Sequence, residues 1–272
     1  MSSTTPTPTP PPSSLTERRK TETRMEIARA AAGLFVRHGL RATRAEDIAQ
    51  AAGIAPRTFY RYFATKEEAV APLYAAGAQR WVEAVRAAPA DAGVLHALEQ
   101  GVRHTLTPGV GVSASSWEWV RALLCLAEST PSLRRVWAEV CQASERLLGE
   151  VLAQRVTRAG AAEDPGVSVV SDSDDNVAGG PARAPAAPLS SASAEPSSPA
   201  PAAPLSSAPA APPSPAFVAT PELRFAAAVA SAAVRAALEA WAAGDGPAEG
   251  PDGPAELALR NLTALRDFPW GR

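Results

Sequence analysis

The run PRTFYRYFATK, residues 56–66, sets Arg57, Arg61 and Lys66 among the hydroxyls of Thr58, Tyr60 and Tyr62. Aromatic residues make up 6% of the 272-residue chain, yet Phe59, Tyr60, Tyr62 and Phe63 fall together here. A guanidinium is a planar fork of donors that matches O6 and N7 of guanine in a major groove, while Thr and Tyr hydroxyls donate to phosphate oxygens. The run therefore holds the side-chain types needed to grip and read a polyanionic duplex. Its spacing divides it into two faces. Phe59 and Phe63 lie four apart and point together, whereas Arg57, Tyr60 and Arg61 lie three or four apart on the other side of the same helix.

Such a face needs a rigid mount, and the preceding residues supply one. From Thr16 to His38 the apolar positions Ile27, Ala30, Ala31, Leu34 and Phe35 recur at helical spacing, and Gly39 closes the helix. In ATRAEDIAQAAG, Thr43 and Glu46 have capping-box spacing, and Ile48, Ala49 and Ala52 form a short apolar face. Gly53 and Ile54 then lead into a second short helix over Ala55–Tyr62, with Pro56 in its first turn, where a missing N–H is harmless. Two short helices joined by a glycine turn have the outline of a helix-turn-helix. Thr65 and Glu68 offer a further capping box, opening a longer helix through about Arg86.

Charge follows the same division. Residues 15–70 carry 11 Lys/Arg against seven Asp/Glu, a net of +4, which leaves −6 for the remainder of a chain whose total is −2. A basic end on an acidic body is what a protein shows when one end alone meets a polyanion.

The block RMEIARAAAGLFVRHGLRATRAEDIAQAAGIAPRTFYRYFATKEEAV, about a quarter of the chain, resembles the DNA-binding domain of the tetracycline-repressor (TetR) family. The resemblance implies an all-α protein: a three-helix DNA-binding domain, a larger helical ligand-binding body, and a homodimer held by the last two helices. It implies a ligand-responsive regulator, a repressor in the usual case, bound to a pseudo-palindromic double-stranded operator. By position it assigns Thr58, Tyr60, Tyr62 and Lys66 to phosphate and Pro56, Arg57 and Arg61 to base edges, and in the mechanism that follows Arg44 joins the residues that fix register on phosphate. The chain differs from the family habit at Ala55, where a capping Ser or Thr is common, and at Arg44, where Thr is frequent.

The body reads as further helices over about 91–106, 115–128, 131–157, 221–243 and 254–267. The run ELRFAAAVASAAVRAALEAW is apolar around most of its circumference, so it must bury more than one face, most simply against a second subunit. Trp117, Trp119, Trp137 and Trp241, with Leu123, Leu124 and Leu147, are candidates to line an apolar effector pocket, Trp117, Leu124, Trp137 and Trp241 foremost. Core packing is the competing role for each tryptophan. The stretch WEWVRALLCLAESTPSLRRVWAEV is similar to acyl-CoA-responsive actinobacterial family members, which implies a small hydrophobic, acyl-CoA-like effector.

Other segments set limits. Residues 1–14 lack charge and a signal-peptide pattern, and 160–220 hold 12 of the 27 prolines among Ala and Ser, so both are expected to be disordered. The organisation expected is a tail over 1–14, a DNA-binding domain over 15–70, ligand-binding parts over 71–159 and 221–272, and a disordered insertion over 160–220. The SDSDDN run, 171–176, lacks the Gly and Glu of a calcium loop, and His96 and His104 are too far apart along a helix to share an ion, so no metal is expected. Without a nucleophile elbow, a P-loop or a dinucleotide fingerprint, neither enzyme nor cofactor is expected. Cys125 and Cys141 read as buried core residues outside any disulfide. Arg235 and Glu239 interrupt the Ala-rich run at 225–243, so the expectation is a cytoplasmic protein without a membrane span. Two alternatives remain open: a helical small-molecule-binding protein, and a proline-rich interaction adaptor without specific DNA readout.

Overall fold

The computed structural model describes residues 15–110, 116–163 and 219–270, with backbone only at 161–163. The expectations for the tail over 1–14, for 164–218 of the insertion and for SDSDDN lie outside the described residues. The fold is all-α: a helix-turn-helix head followed by a helical body. The head comprises α1 (Leu15–His38), α2 (Ala45–Ala51) and α3 (Pro56–Tyr62). A 3-10 turn over Glu67–Val70 leads into α4 (Ala71–Ala87). The body continues with α5 (Val94–Leu106), α6 (Trp117–Ser129), α7 (Pro131–Glu163), α8 (Pro221–Ala243) and α9 (Pro254–Ala264).

In the head, Ile27, Ala31, Ala32 and Phe35 of α1 pack on Ile48 and Ala49 of α2 and on Phe59 of α3. The turn between α2 and α3 is a Schellman closure. Gly53 N–H donates to Gln50, and Ile54 N–H donates to Ala49, so two carbonyls at the end of α2 are satisfied. Gly53 takes φ +67°, a conformation that strains any residue with a Cβ. The head core does not stop at residue 70. Val70 and Tyr74 join it to Leu123 and Ala127 of α6 and to Leu133 and Val136 of α7, all buried.

The capping pattern differs from the sequence reading in one place. Thr43 is buried and donates to the Gly39 carbonyl, while the cap of α2 is formed by Asp47, whose carboxylate accepts the Arg44 N–H at 2.8 Å. One-residue displacement follows from burial: a threonine turned into the core cannot also face the helix end. At the next boundary Thr65 accepts the Glu68 N–H at 3.2 Å, and the Glu68 carboxylate reaches back to the Ala64 N–H, before a tight 3-10 turn precedes α4.

Two close approaches organise the body. Gly101 of α5 lies against α4, where an added Cβ would come within 2.7 Å of Val85 and 3.2 Å of Trp81. At the end of α4, Arg155 of α7 is 6% exposed and donates to the carbonyls of Val85, Ala88, Pro89 and Ala92 at 2.7–3.3 Å. A helix end leaves its last carbonyls without partners, and one guanidinium here serves several of them. Burial pulls the pKa of Arg155 down, and neighbouring Arg158 adds to the effect.

By length and composition α8 is apolar enough to cross a membrane, with a mean hydropathy of 1.3, contrary to the expectation that its charges exclude this. Beyond Glu222 and Arg224 in its first turn, alanine supplies that hydropathy around Arg235 and Glu239. Here the helix packs within the body, where Leu223, Ala227, Ala230, Val234 and Trp241 belong to a core shared with α5, α7 and α9. The cysteines also differ from expectation. Both are free thiols, but Cys125 is exposed with its Sγ turned to the Ala242 carbonyl at 3.2 Å, and Cys141 is half-buried.

Candidate nucleic-acid interface

The outer surface of α3 is built by what its inner surface fixes. Phe59 and Phe63 are buried and lie 5.8 Å apart centroid to centroid, so the helix cannot roll without exposing both rings. That leaves Pro56, Arg57, Tyr60 and Arg61 exposed on one surface, with Thr58 and Tyr62 half-buried at its edges. Arg44 stands exposed at the N-cap of α2. Tyr60 meets Phe59 edge-on at 5.4 Å, and the Arg61 guanidinium lies 5.6 Å from the Tyr62 ring, so both are oriented by neighbours within α3.

Ala55 caps α3 without a side-chain hydrogen bond; its carbonyl accepts from the N–H groups of both Thr58 and Phe59. Pro56 has no N–H, so the first turn of α3 leaves only the Arg57 N–H without a helical partner.

Lys66 occupies a different position from the rest. Its Nζ donates to the carbonyls of Leu40 and Thr43, each at 2.7 Å, and so ties the N-terminal end of the Glu67–Val70 turn to the segment between α1 and α2. Two of the three protons of an ammonium are used within the domain, leaving one for a phosphate. A second internal tie was not foreseen from the sequence. Arg24 of α1 donates to the Tyr62 carbonyl at 3.1 Å and lies 4.6 Å over the Phe63 ring, closing the C-terminal end of α3. Nothing in the local pattern marks Arg24, since its partner lies 38 positions away.

Beyond the first turn of α1, the head holds no side-chain ion pair among the described residues, so Arg44, Arg57 and Arg61 carry charge without a neutralising carboxylate. Exposed guanidinium groups on a pinned helix are the donor set for phosphate and base-edge contacts.

Of the four residues foremost for an effector pocket, Trp117, Leu124 and Trp241 lie in one buried core of the body, and Trp137 packs against its edge. Trp117 and Trp241 are buried against each other, edge to face at 5.3 Å, within the body core. Leu124 and Trp137 also border an open cleft between α6, α7 and α8, of about 640 Å³. Of the wider set, Trp119 and Leu147 are exposed, and Leu123 belongs to the core shared with the head. A tryptophan's type says that it will be covered, but its partners are chosen by helix packing, which places Trp117 and Trp241 inside and Trp137 at a seam.

Fold and site together define an all-α protein with a helix-turn-helix head. Residues 27–71, which include α2 and α3, match the family model described as bacterial regulatory proteins, tetR family. Over 146 residues the chain is 31% identical to the HTH-type transcriptional regulator TcmR of Streptomyces glaucescens, a match that covers 52% of this chain and 63% of that protein. The chain thus spans less than two thirds of that relative's length. Among solved structures, Salmonella enterica GusR is similar at a TM-score of 0.47 and 17% identity, over 90% of this chain and 96% of that one. Thermus thermophilus FadR, a TetR family transcriptional repressor in complex with lauroyl-CoA, is similar at a TM-score of 0.46 and 20% identity, over 92% and 96%.

Proposed function

We propose that the protein is a ligand-responsive transcriptional regulator that binds a pseudo-palindromic operator as a homodimer in the cytoplasm and represses until a small effector enters its body. The observation that carries this reading is the outward surface of α3, where Arg57, Tyr60 and Arg61 are exposed and unneutralised while Phe59 and Phe63 fix the helix from behind. In this reading α3 enters a major groove. Arg57 and Arg61 meet base edges beside Pro56, and Arg44, Thr58, Tyr60, Tyr62 and the remaining proton of Lys66 set the register on phosphates. Each bidentate arginine contact contributes roughly 1–3 kcal/mol of discrimination.

Support for a dimer through α8 and α9 comes from the surface of α8. Phe225, Ala232, Ala236, Ala240 and Ala243 are exposed at intervals of three, four or seven positions, a small-residue face on which a second helix can lie close. The dimer axis then sets the spacing of two half-sites, and an effector that changes the angle between subunits moves one α3 out of its groove. Support for such a path comes from α4, whose Tyr74 touches α6 and α7 and belongs to the head core together with Val70.

Selection of random-sequence duplexes on the purified chain tests the proposal. Enrichment of an inverted repeat is expected. Recovery of no preferred sequence would favour a helical small-molecule-binding protein whose basic end is incidental.

A further inference from the structure

Resting on the proposal of an effector-responsive body, we propose that the cleft between α6, α7 and α8 is a binding site for a lipophilic organic cation, with Glu145 as counter-charge and Trp137 as the aromatic surface. The lining decides the sign of the ligand. Four carboxylates, Glu128, Glu139, Glu145 and Glu239, face three guanidinium groups, Arg134, Arg135 and Arg235. Each arginine is already paired: Arg134 with Glu128 at 3.2 Å, Arg135 with Glu139 at 3.2 Å, and Arg235 with Glu239 at 3.5 Å. Glu145 makes no ion pair among the described residues, and it is half-buried, so it is the one charge in the lining that lacks an opposite. An anion entering here has to break an existing pair to find a partner; a cation does not.

The uncharged lining fits the rest of such a ligand. Leu124, Ala127 and Ala138 offer apolar surface, and Trp137 offers an indole whose N–H is already used on Glu239 at 2.9 Å. Trp137 and Glu145 stand eight positions apart on α7, a span of about 12 Å, so a bulky organic cation is needed to meet the ring quadrupole and the opposite charge together. Cys141, also in the lining, has its thiol pKa pushed up to about 12, chiefly by burial and also by Glu239 and Glu145 against the opposing pull of Arg235. It therefore stays neutral at ordinary pH and adds no competing function.

The cleft also adjoins the link to the head. Trp137 meets the Tyr74 ring at 5.1 Å, and the Tyr74 hydroxyl donates at 2.9 Å to the carbonyl of Leu123, next to Leu124 in the lining. Tyr74 lies in the first turn of α4, so a ligand against Trp137 and Leu124 bears on the residue that joins body and head cores.

Isothermal titration of the full chain without DNA, using tetraphenylphosphonium and its size-matched anion tetraphenylborate, separates this from the DNA-binding proposal. The cation is expected to bind, Glu145→Gln to weaken it by about tenfold, and Ala138→Trp, at an exposed lining position, to abolish it without moving the melting temperature. Binding of tetraphenylborate as tight as that of the cation, or of lauroyl-CoA displaced by the cleft-filling variant, would assign an anion to the site and overturn the proposal. So would cation binding that both variants leave unchanged, or no cation binding at all. None of these outcomes bears on whether the unliganded protein selects an inverted repeat.

Discussion

Head and body differ in how many of their arginines stand beside a carboxylate. In the body, Arg86, Arg103, Arg134, Arg135, Arg235, Arg260 and Arg266 each stand within 4 Å of a carboxylate. In the head, Arg44, Arg57 and Arg61 have no such neighbour, and Arg24 and Lys66 bind backbone carbonyls, which leave their charge in place. Exposed ion pairs add little stability, about 0–1 kcal/mol each, so the body's pairing matters less for holding the fold than for removing positive field. Un-neutralised charge is what attracts phosphate. The contrast teaches that the net charge of −2 describes neither region.

The largest effect that sharpens this comparison is on the support of the reading surface. Phe59→Ala removes a fully buried ring and is expected to cost about 3–5 kcal/mol. Because the head core runs into α6 and α7, thermal melting followed by circular dichroism should remain one transition at a lower temperature. A separate early transition would break the claim of a continuous core. Next in size is Arg155→Ala, which orphans carbonyls at the end of α4 and is expected to cost about 3 kcal/mol. Arg155→Lys should recover only part of this in denaturant titrations, since an ammonium cannot reproduce the fork.

Lys66→Met is expected to cost about 1–2 kcal/mol of stability while lowering the salt slope of DNA binding by less than the ~0.9 expected for one full phosphate contact. A full drop in slope with unchanged stability would make Lys66 a phosphate ligand and little else. The smallest effect is a gain. Ala55→Ser supplies the missing cap of α3 and should stabilise the protein by about 0.5–1 kcal/mol in the same titration.

How much of this was legible in the sequence depends on range. The two faces of α3 follow from the four-residue spacing of Phe59 and Phe63, a local property, and burial divides the residues along that line. The Gly53–Ile54 turn was legible for the same reason. Arg24 and Lys66 were not, because long flexible side chains choose carbonyls 23–38 positions away that only the folded head brings near. In the body, α6, α7 and α8 were placed closely by helical spacing, but which tryptophan faced which helix was not. Trp117 and Trp241 meet across 124 positions, and no periodicity within either helix encodes that meeting. Cys125 and Cys141 were misread because an apolar sequence neighbourhood does not reveal which helical face remains open.

On the proposed function, α3 reads sequence through two arginines held by two phenylalanines. This reading is tested most directly by fluorescence anisotropy of wild type and Arg57→Ala/Arg61→Ala on the selected inverted repeat and on a scrambled duplex at one salt concentration. The account predicts that the double variant melts like wild type and loses at least about 30-fold of the preference for the repeat, with a smaller loss on the scrambled duplex. An unchanged preference in the double variant would contradict it.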